Sequence, residues 1–231
     1  MSVRIVVAKE VLPGEQRVAL TPEVAGKLVK GGVEVALESG AGTSAGYPDS
    51  EFQKVGATIV SDRASLLGSA AIVLGVQPPT VEEVGQMKPG TISITTLFAN
   101  RNPEVVRKMG SGKVTSFALE LLPRITRAQS MDVLSSQATL AGYQAVLIGA
   151  SMSPRILPML TTAAGPIRPS DVLILGAGVA GLMAIATARR LGGVVTAYDV
   201  RRPPASRSRA WGRSSSSSRS TRRARAATPG S

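Results

Sequence analysis

The sequence predicts an α/β fold made of two parallel-sheet domains, the second of them incomplete, followed by a disordered Arg/Ser-rich C-terminal tail. Three observations lead to this prediction. Short apolar runs alternate with amphipathic stretches, a glycine-rich turn follows one such run at 176–181, and apolar periodicity stops after residue 200. The predicted boundaries are 1–131 for the N-terminal domain, 132–170 for a connecting helix and linker, 171–200 for the start of the second domain, and 201–231 for the tail.

The first domain is predicted to alternate strands with helices, which is typical of a parallel sheet with helices on both faces. Thr21, Pro22 and Glu23 form a helix start, and the helix is expected to end near Lys30, before two glycines. Further helices are predicted near 49–55, 62–68, 80–87 and 103–109, and strands at 3–8, 33–38, 58–60, 71–76, 91–97 and 114–119.

The connecting region is predicted to be mainly helical. Residues 132–149 fit a longer helix that Asp132 could cap, whereas 152–162 fit a weaker helix because Pro154 and Pro158 interrupt it. Residues 163–171 are rich in turn-forming residues and are interpreted as a linker.

The composition excludes several kinds of chemistry. The chain has no cysteine and no histidine, which excludes disulfides, thiolate nucleophiles, Cys-ligated zinc and a histidine general base. The net charge of +12 is unevenly distributed along the chain, because nine of the 27 basic residues and none of the 15 acids lie at 201–231. The sequence shows neither a signal peptide nor a continuous apolar stretch long enough to span a membrane. We therefore expect a cytoplasmic chain that does not itself cross a membrane.

The glycine-rich turn stands in the context of a Rossmann dinucleotide fingerprint. Gly176-Ala-Gly178-Val-Ala-Gly181 follows the apolar run 172–175 and precedes an apolar-periodic helix, and Asp199 ends a second run eighteen residues after Gly181. The glycines permit a tight turn and a close approach of a pyrophosphate to backbone N–H groups. Asp199 would accept hydrogen bonds from the adenosine ribose and repel a 2′-phosphate, so NAD(H) is predicted rather than NADP(H). The alternative is a glycine turn that packs a helix on the sheet without a ligand.

Two other polar segments are less specific. The segment RITRAQSMDVLSSQ at 124–137 places Arg124, Gln129 and Asp132 just before a predicted helix, where their donors and acceptors could grip a carboxamide. A capped, solvated helix start is the simpler interpretation of this segment alone. The charged segment at 9–22, KEVLPGEQRVALTP, is compatible with either a solvated loop or a functional one.

Together, these three segments resemble the proton-translocating NAD(P) transhydrogenase family in order and spacing. The resemblance is to the soluble NAD(H)-binding domain I of the α subunit, within a wider family that includes alanine dehydrogenase. It covers residue 1 to about 202, so the chain is interpreted as a C-terminally truncated form, and RAQSMDVLSSQ is specific for the transhydrogenase branch.

The resemblance implies that the chain binds NADH and presents it for direct hydride transfer to NADP+ on a partner domain. It implies a homodimer, association with a membrane domain and an NADP(H)-binding β subunit, and a place peripheral to the inner (plasma) membrane. It implies no catalytic side chain and no metal. It implies that Arg124, Gln129, Asp132 and Ser135 surround the nicotinamide, and that Arg124, Ile125, Thr126 and Gln129 form one NAD-contact segment. It also implies that Val179, Ala180 and Gly181 hold the pyrophosphate and that Asp199, Val200 and Arg201 bind the adenosine end. Gly176 and Gly178 are further binding residues, predicted from the glycine motif itself.

An enzyme similar to alanine dehydrogenase is the alternative within the same family. It shares the context of Arg17, where the family binds a substrate carboxylate, but its lysine and histidine are missing from the segments VLGVQPP and ITTLFAN. Amino-acid deamination is therefore disfavoured. A non-catalytic fragment that binds NAD or nucleic acid is the second alternative, although no nucleic-acid partner is expected.

The composition of residues 201–231 changes to Arg, Ser, Ala and Pro. A shifted reading frame is the favoured interpretation, because GC-rich Val-Glu-Leu codons read out of frame encode consecutive serines. A solvated tail and a nucleic-acid arm are the alternatives, and the arm would carry a single aromatic residue, Trp211. If the frame is shifted, the chain is expected to bind NADH weakly or not at all.

Overall fold

The computed structural model describes residues 3–200 and the backbone of residues 222–223. The chain divides into two units, 1–132 and 133–231. Among the residues described, no helix combines the length and the apolar character that a membrane span requires.

The first unit is built on a six-stranded, fully parallel sheet in the order β3-β2-β1-β4-β5-β6. This is the strand order of dinucleotide-binding folds, and it confirms the predicted parallel α/β architecture. The strands are β1 (Arg4–Val7), β2 (Glu34–Glu38), β3 (Thr58–Val60), β4 (Ile72–Leu74), β5 (Ile92–Thr95) and β6 (Thr115–Ala118), and the helices are α1 (Pro22–Lys30), α2 (Asp49–Lys54), α3 (Arg63–Gly68), α4 (Val81–Gln86) and α5 (Pro103–Ser111).

Helices cover both faces of this sheet, so neighbouring residues of a central strand enter different cores. In β1, Val6 packs with residues of α3, α4 and α5, whereas Val7 packs with residues of α1 and α2. Both valine side chains are fully buried. Because successive side chains of a strand point to opposite faces, a strand buried on both sides is continuously apolar, as β1 is from Ile5 to Val7.

The helix start predicted at Thr21 is confirmed. The Thr21 hydroxyl accepts a hydrogen bond from the Val24 N–H at 3.5 Å, Pro22 occupies the first turn, and the helix ends at Lys30 before Gly31. Each of these features satisfies or removes a backbone group that a helix end would otherwise leave unpaired.

The second unit contains a long helix, a hairpin and a strand–helix–strand motif. Strands β9 (Asp171–Leu175) and β10 (Val194–Tyr198) are parallel, and α7 (Val179–Arg190) connects them. Their core includes buried residues of α7, of β10 and of the long helix α6 (Val133–Met152). The remaining strands are β7 (Leu160–Thr162), β8 (Gly165–Ile167) and β11 (Arg222–Arg223).

The helix predicted for 152–162 is wrong beyond Met152. Strands β7 and β8 instead form an antiparallel hairpin, and β8 also occupies a stretch of the predicted linker 163–171. The proline at 158 removes a backbone donor, and Gly165 adopts a φ of +119° that favours glycine at the turn. A six-residue 3₁₀ helix at Thr126–Met131 was not predicted either.

The predicted tail is described only at Arg222–Arg223, whose backbone pairs antiparallel with β10. The structure differs from the prediction at these two residues, because the exposed edge of a strand can pair with a backbone of any sequence. Arg201, Trp211 and the rest of the region assigned to a shifted reading frame lie outside the described residues.

Candidate functional site

The glycine-rich turn lies at the carboxyl end of β9, as the sequence predicts. Gly176 has a φ of +97°, a backbone conformation that L side chains rarely adopt. Its N–H donates a hydrogen bond to the Tyr198 carbonyl at 2.7 Å, which ties the start of the turn to the end of β10. The turn is therefore held between the ends of two adjacent parallel strands.

Gly181 makes the turn compact because it has no side chain. A Cβ atom there would lie 2.7 Å from the carbonyl carbon of Gly176 and closer still to the carbonyl oxygen. Both atoms belong to the backbone of the turn, so no rotamer change could relieve the contact. The third glycine of the motif is thus required by the packing of α7 on the turn.

The N-terminus of α7 is open to an anionic ligand. Gly178 is the N-cap residue, and among the described residues no side chain caps this end of the helix. The first backbone N–H groups of an α-helix have no partner within the helix, and the helix dipole adds a partial positive charge. Val179, Ala180 and Gly181 therefore present donors where a pyrophosphate is predicted.

Asp199 is held directly against the glycine turn. Its Oδ2 atom accepts a hydrogen bond from the Ala177 N–H at 2.6 Å. A carboxylate has several acceptor positions, so a bond to the turn and a bond to a hydroxyl group are chemically compatible. The sequence predicts Asp199 at this site but does not reveal that it also fixes the turn through Ala177.

The second unit thus brings together Gly176, Gly178, Gly181 and Asp199. Together they fit a dinucleotide: a close backbone approach, helix N–H groups that no described side chain caps, and an acid at the end of the neighbouring strand. Val200 follows as an exposed residue, and Arg201 lies outside the described residues.

The predicted NAD-contact segment before α6 is exposed and lies in the first unit, whereas the glycine turn lies in the second. Arg124, Ile125, Thr126 and Gln129 are exposed in and just before the 3₁₀ helix of the first unit, in which Ala128 is the buried residue. Exposure of these side chains is compatible with either a ligand-binding segment or a solvated one.

The last two predicted residues of this segment flank the start of α6. Asp132 is half-buried at the end of the 3₁₀ helix, and Ser135 is half-buried in the first turn of α6, in the second unit. Both residues make polar interactions. Their role towards the nicotinamide stays a prediction.

The charged segment after β1 is a structured loop that contacts the loop after β4. The Glu15 carboxylate accepts hydrogen bonds from Arg17 Nε at 2.7 Å and from Gln77 Nε2 at 2.6 Å, and it forms an ion pair with the Arg17 Nη2 atom at 2.6 Å. The Glu10 carboxylate accepts from the Val76 N–H at 2.6 Å and the Gln77 N–H at 3.3 Å. The sequence does not predict the contacts of Glu10 and Glu15 with Val76 and Gln77, which span more than sixty positions.

The two acids of this loop have opposite electrostatic settings. Hydrogen bonds from Arg17 lower the pKa of Glu15 to about 2, although burial opposes the shift. Burial raises the pKa of Glu10, and its hydrogen bonds from the backbone N–H groups of Val76 and Gln77 only partly offset that rise.

Glu15→Gln is expected to weaken the acid dependence of folding stability. Because the folded-state pKa of Glu15 is depressed, its carboxylate stabilises the fold above pH 4.5, and this contribution is lost as the pH falls towards about 2. The stability difference between wild type and Glu15→Gln should therefore shrink over that window. Urea unfolding at several pH values measures it. Glu104→Gln, an exposed acid on α5, is the control, and an equal response of both variants would contradict the assignment.

A cavity of about 360 Å³ lies in the first unit at the carboxyl ends of β1 and β4. Its lining includes Glu10, Gln77 and Thr95 besides apolar side chains of the core. None of the residues predicted to bind NAD(H) lines it. Among the described residues, no group of three or more acidic side chains is arranged to hold a metal ion.

Comparison with known proteins gives two family matches that cover most of the chain. Residues 6–141 match the model of the alanine dehydrogenase/PNT N-terminal domain, and residues 145–223 match that of the C-terminal domain.

Individual relatives agree with these matches. The chain is 50% identical over 203 residues to the first part of NAD(P) transhydrogenase subunit alpha of Rhodospirillum rubrum, across 86% of the chain and 53% of the relative. It is 32% identical over 200 residues to alanine dehydrogenase of Halomonas elongata, across 85% of the chain and 53% of that enzyme. A crystal structure of transhydrogenase from Sinorhizobium meliloti superimposes with a TM-score of 0.84 at 46% identity, over 90% of the chain and 61% of that structure. The chain spans about half the length of the curated relatives it matches.

Proposed function

Because the chain belongs to the alanine dehydrogenase/PNT family, we propose that it is the NAD(H)-binding component of a proton-translocating NAD(P) transhydrogenase. In this role it presents NADH for direct hydride transfer to NADP+ held on a partner domain. The observation that carries the proposal is the glycine turn at Gly176–Gly181, fixed to Asp199 through the Ala177 N–H. The 50% identity to a transhydrogenase α subunit favours this branch of the family.

The residues of the chain bind and orient the cofactor in this proposal. The N–H groups of Val179, Ala180 and Gly181 hold the pyrophosphate, and Asp199 holds the adenosine ribose. Arg124, Gln129, Asp132 and Ser135 are assigned to the nicotinamide by the resemblance to the family. Bound NADH itself supplies the hydride, so the protein contributes positioning rather than proton abstraction, and the absence of histidine and cysteine is compatible with that chemistry.

Alanine dehydrogenase activity is disfavoured because the segments VLGVQPP and ITTLFAN lack the lysine and histidine of that branch. The setting of Arg17 does not decide between the branches. Its Nε and Nη2 atoms bind the Glu15 carboxylate at 2.7 and 2.6 Å, but a guanidinium has five N–H donors and can bind two carboxylates at once.

The proposed partners are a second copy of the chain, a membrane domain and an NADP(H)-binding β subunit. The chain is then a cytoplasmic component, peripheral to the membrane, that reaches it through those subunits. The alternative of a nucleic-acid-binding fragment depends on the basic tail, which lies outside the described residues.

Asp199→Asn is expected to change cofactor selectivity rather than abolish binding. The asparagine keeps an oxygen that can accept from the Ala177 N–H, but it removes the charge that repels a 2′-phosphate. The affinity for NADPH relative to NADH should rise about tenfold, equivalent to about 1.4 kcal/mol. Fluorescence titrations of the full chain with both reduced cofactors measure this ratio.

Asp171→Asn is the matched control, because Asp171 is exposed at the opposite end of β9 and carries the same charge. An unchanged ratio in Asp199→Asn would contradict the assignment of Asp199. A wild-type chain that binds NADH no better than NADPH would overturn the proposed function. The same titration decides whether the chain binds NADH as weakly as a shifted reading frame predicts.

A further inference from the structure

Gly142 lies in the middle of α6 and packs against the first turn of α7. It is buried, and α6 and α7 both belong to the second unit. A Cβ atom on Gly142 would lie 2.8 Å from the carbonyl carbon of Ala180, 2.9 Å from its Cα atom, and closer still to its carbonyl oxygen. The two helices therefore approach each other through backbone at this point.

The residue that Gly142 approaches, Ala180, belongs to the proposed pyrophosphate site. Ala180 lies between Val179 and Gly181, in the helix turn whose N–H groups are assigned to the pyrophosphate. Because the contacting atoms are backbone atoms, a side chain at 142 could be accommodated only by moving α6 away or by shifting the turn itself. A glycine in a helix interior costs about 1 kcal/mol relative to alanine, so its presence here calls for a packing reason.

We propose that Gly142 is a positioning residue for cofactor binding: it lets the backbone of α6 support the pyrophosphate turn at Ala180. The inference rests on the proposed function and deepens it, because it identifies a residue of α6 that sets the geometry of the turn without touching the ligand. No residue of the glycine motif itself reveals this support.

Gly142→Ala tests the proposal through the phosphate portion of the ligand. The variant should bind NADH and ADP about tenfold more weakly than wild type, whereas its affinity for adenosine, which lacks the pyrophosphate, should change much less. Isothermal titration of the full chain with the three ligands gives the comparison. A purely structural role would lower all three affinities together or none of them.

Gly149→Ala is the matched control in the same helix. Apart from the adjacent residues and the backbone of its own helix, no described atom lies within 4 Å of a Cβ built at Gly149. This substitution therefore gains the same helix propensity without a close contact to α7. Val146→Ala is the second control, because Val146 is buried one turn after Gly142. It should lower the free energy of unfolding but leave the preference for ADP over adenosine unchanged.

A readout without ligand separates this inference from the proposed function. In ¹H–¹⁵N spectra, Gly142→Ala should shift the amide resonances of residues 177–181 more than Gly149→Ala or Val146→Ala does. If wild type binds neither NADH nor ADP, the proposed function fails while these resonances still test the support of the turn. The inference would be overturned if Gly142→Ala leaves these resonances unshifted or leaves the preference for ADP over adenosine unchanged. It would also be overturned if Val146→Ala changes that preference equally, or if the Gly142→Ala chain does not fold.

Discussion

Gly181→Ala is expected to weaken NADH binding at least about a hundredfold, equivalent to about 2.8 kcal/mol. The added Cβ would lie 2.7 Å from the carbonyl carbon of Gly176, and closer to its oxygen, so the turn must open or α7 must move. Either change displaces the N–H groups of the first helical turn from the position at which they could bind a pyrophosphate. Titration of the full chain with NADH, followed by fluorescence, measures the loss.

Gly110→Ala separates the local contact from a general effect of replacing glycine. Gly110 lies in α5 of the first unit, and no described atom near it would meet an added Cβ within 4 Å. This variant should bind NADH like the wild type. A Gly181→Ala chain whose affinity stays within a few-fold of wild type would show that the turn does not hold the pyrophosphate.

The fold was predictable where it depends on a local sequence motif or on the periodicity of apolar residues. Thr21 and Pro22 define the start of α1 by satisfying or removing backbone groups, and the structure places the helix there. The apolar run Ile5–Val7 of β1 is buried on both faces, and the strands of the first unit are all parallel. The GAGVAG turn joins a strand to a helix as expected. It is predictable because the spaced glycines and the flanking apolar runs lie close together in the sequence.

Contacts between distant segments of the chain were not predictable in the same way. The hydrogen bond from Gln77 to Glu15 joins two loops that sequence spacing alone cannot bring together. The pattern before the hairpin β7–β8 predicts only a weakened helix, because prolines lower helix propensity, but prolines also favour the extended backbone that the structure adopts. Gly142 left a usable signal, since a glycine inside an apolar helix often marks a close approach of backbones.

The candidate site shows how one residue can serve both the fold and a ligand. The spacing after Gly181 predicts Asp199 as a hydrogen-bond acceptor for a ribose, and in the structure its carboxylate also accepts from the Ala177 N–H of the turn. A carboxylate at this position therefore organises the turn before any ligand binds. Preorganisation of this kind lowers the entropic cost of binding, which is a reason to expect asparagine to be tolerated better than alanine at 199.

Phe52→Ala is expected to have the largest effect on the stability of the first unit. Phe52 is the largest fully buried side chain among residues 3–200, and its ring meets that of Tyr47 edge to face, with centroids 6.4 Å apart. It packs with residues from β1 and β2 in the core beneath α1 and α2. Removing a buried phenylalanine ring leaves a cavity that its surroundings fill only partly, so the free energy of unfolding should fall by about 3–5 kcal/mol.

Phe117→Ala is the matched control, because it removes the same atoms from β6 of the same unit, where the residue is 57% exposed. Its effect should be at most about 2 kcal/mol, since less than half of the residue's surface is buried. Urea unfolding followed by circular dichroism gives both values, and hydrogen exchange of β1 and β2 assigns the loss to the first unit. Equal losses of unfolding free energy in the two variants would mean that the core beneath α1 and α2 does not depend on Phe52. A loss of exchange protection confined to amides of the second unit would place the ring outside that core.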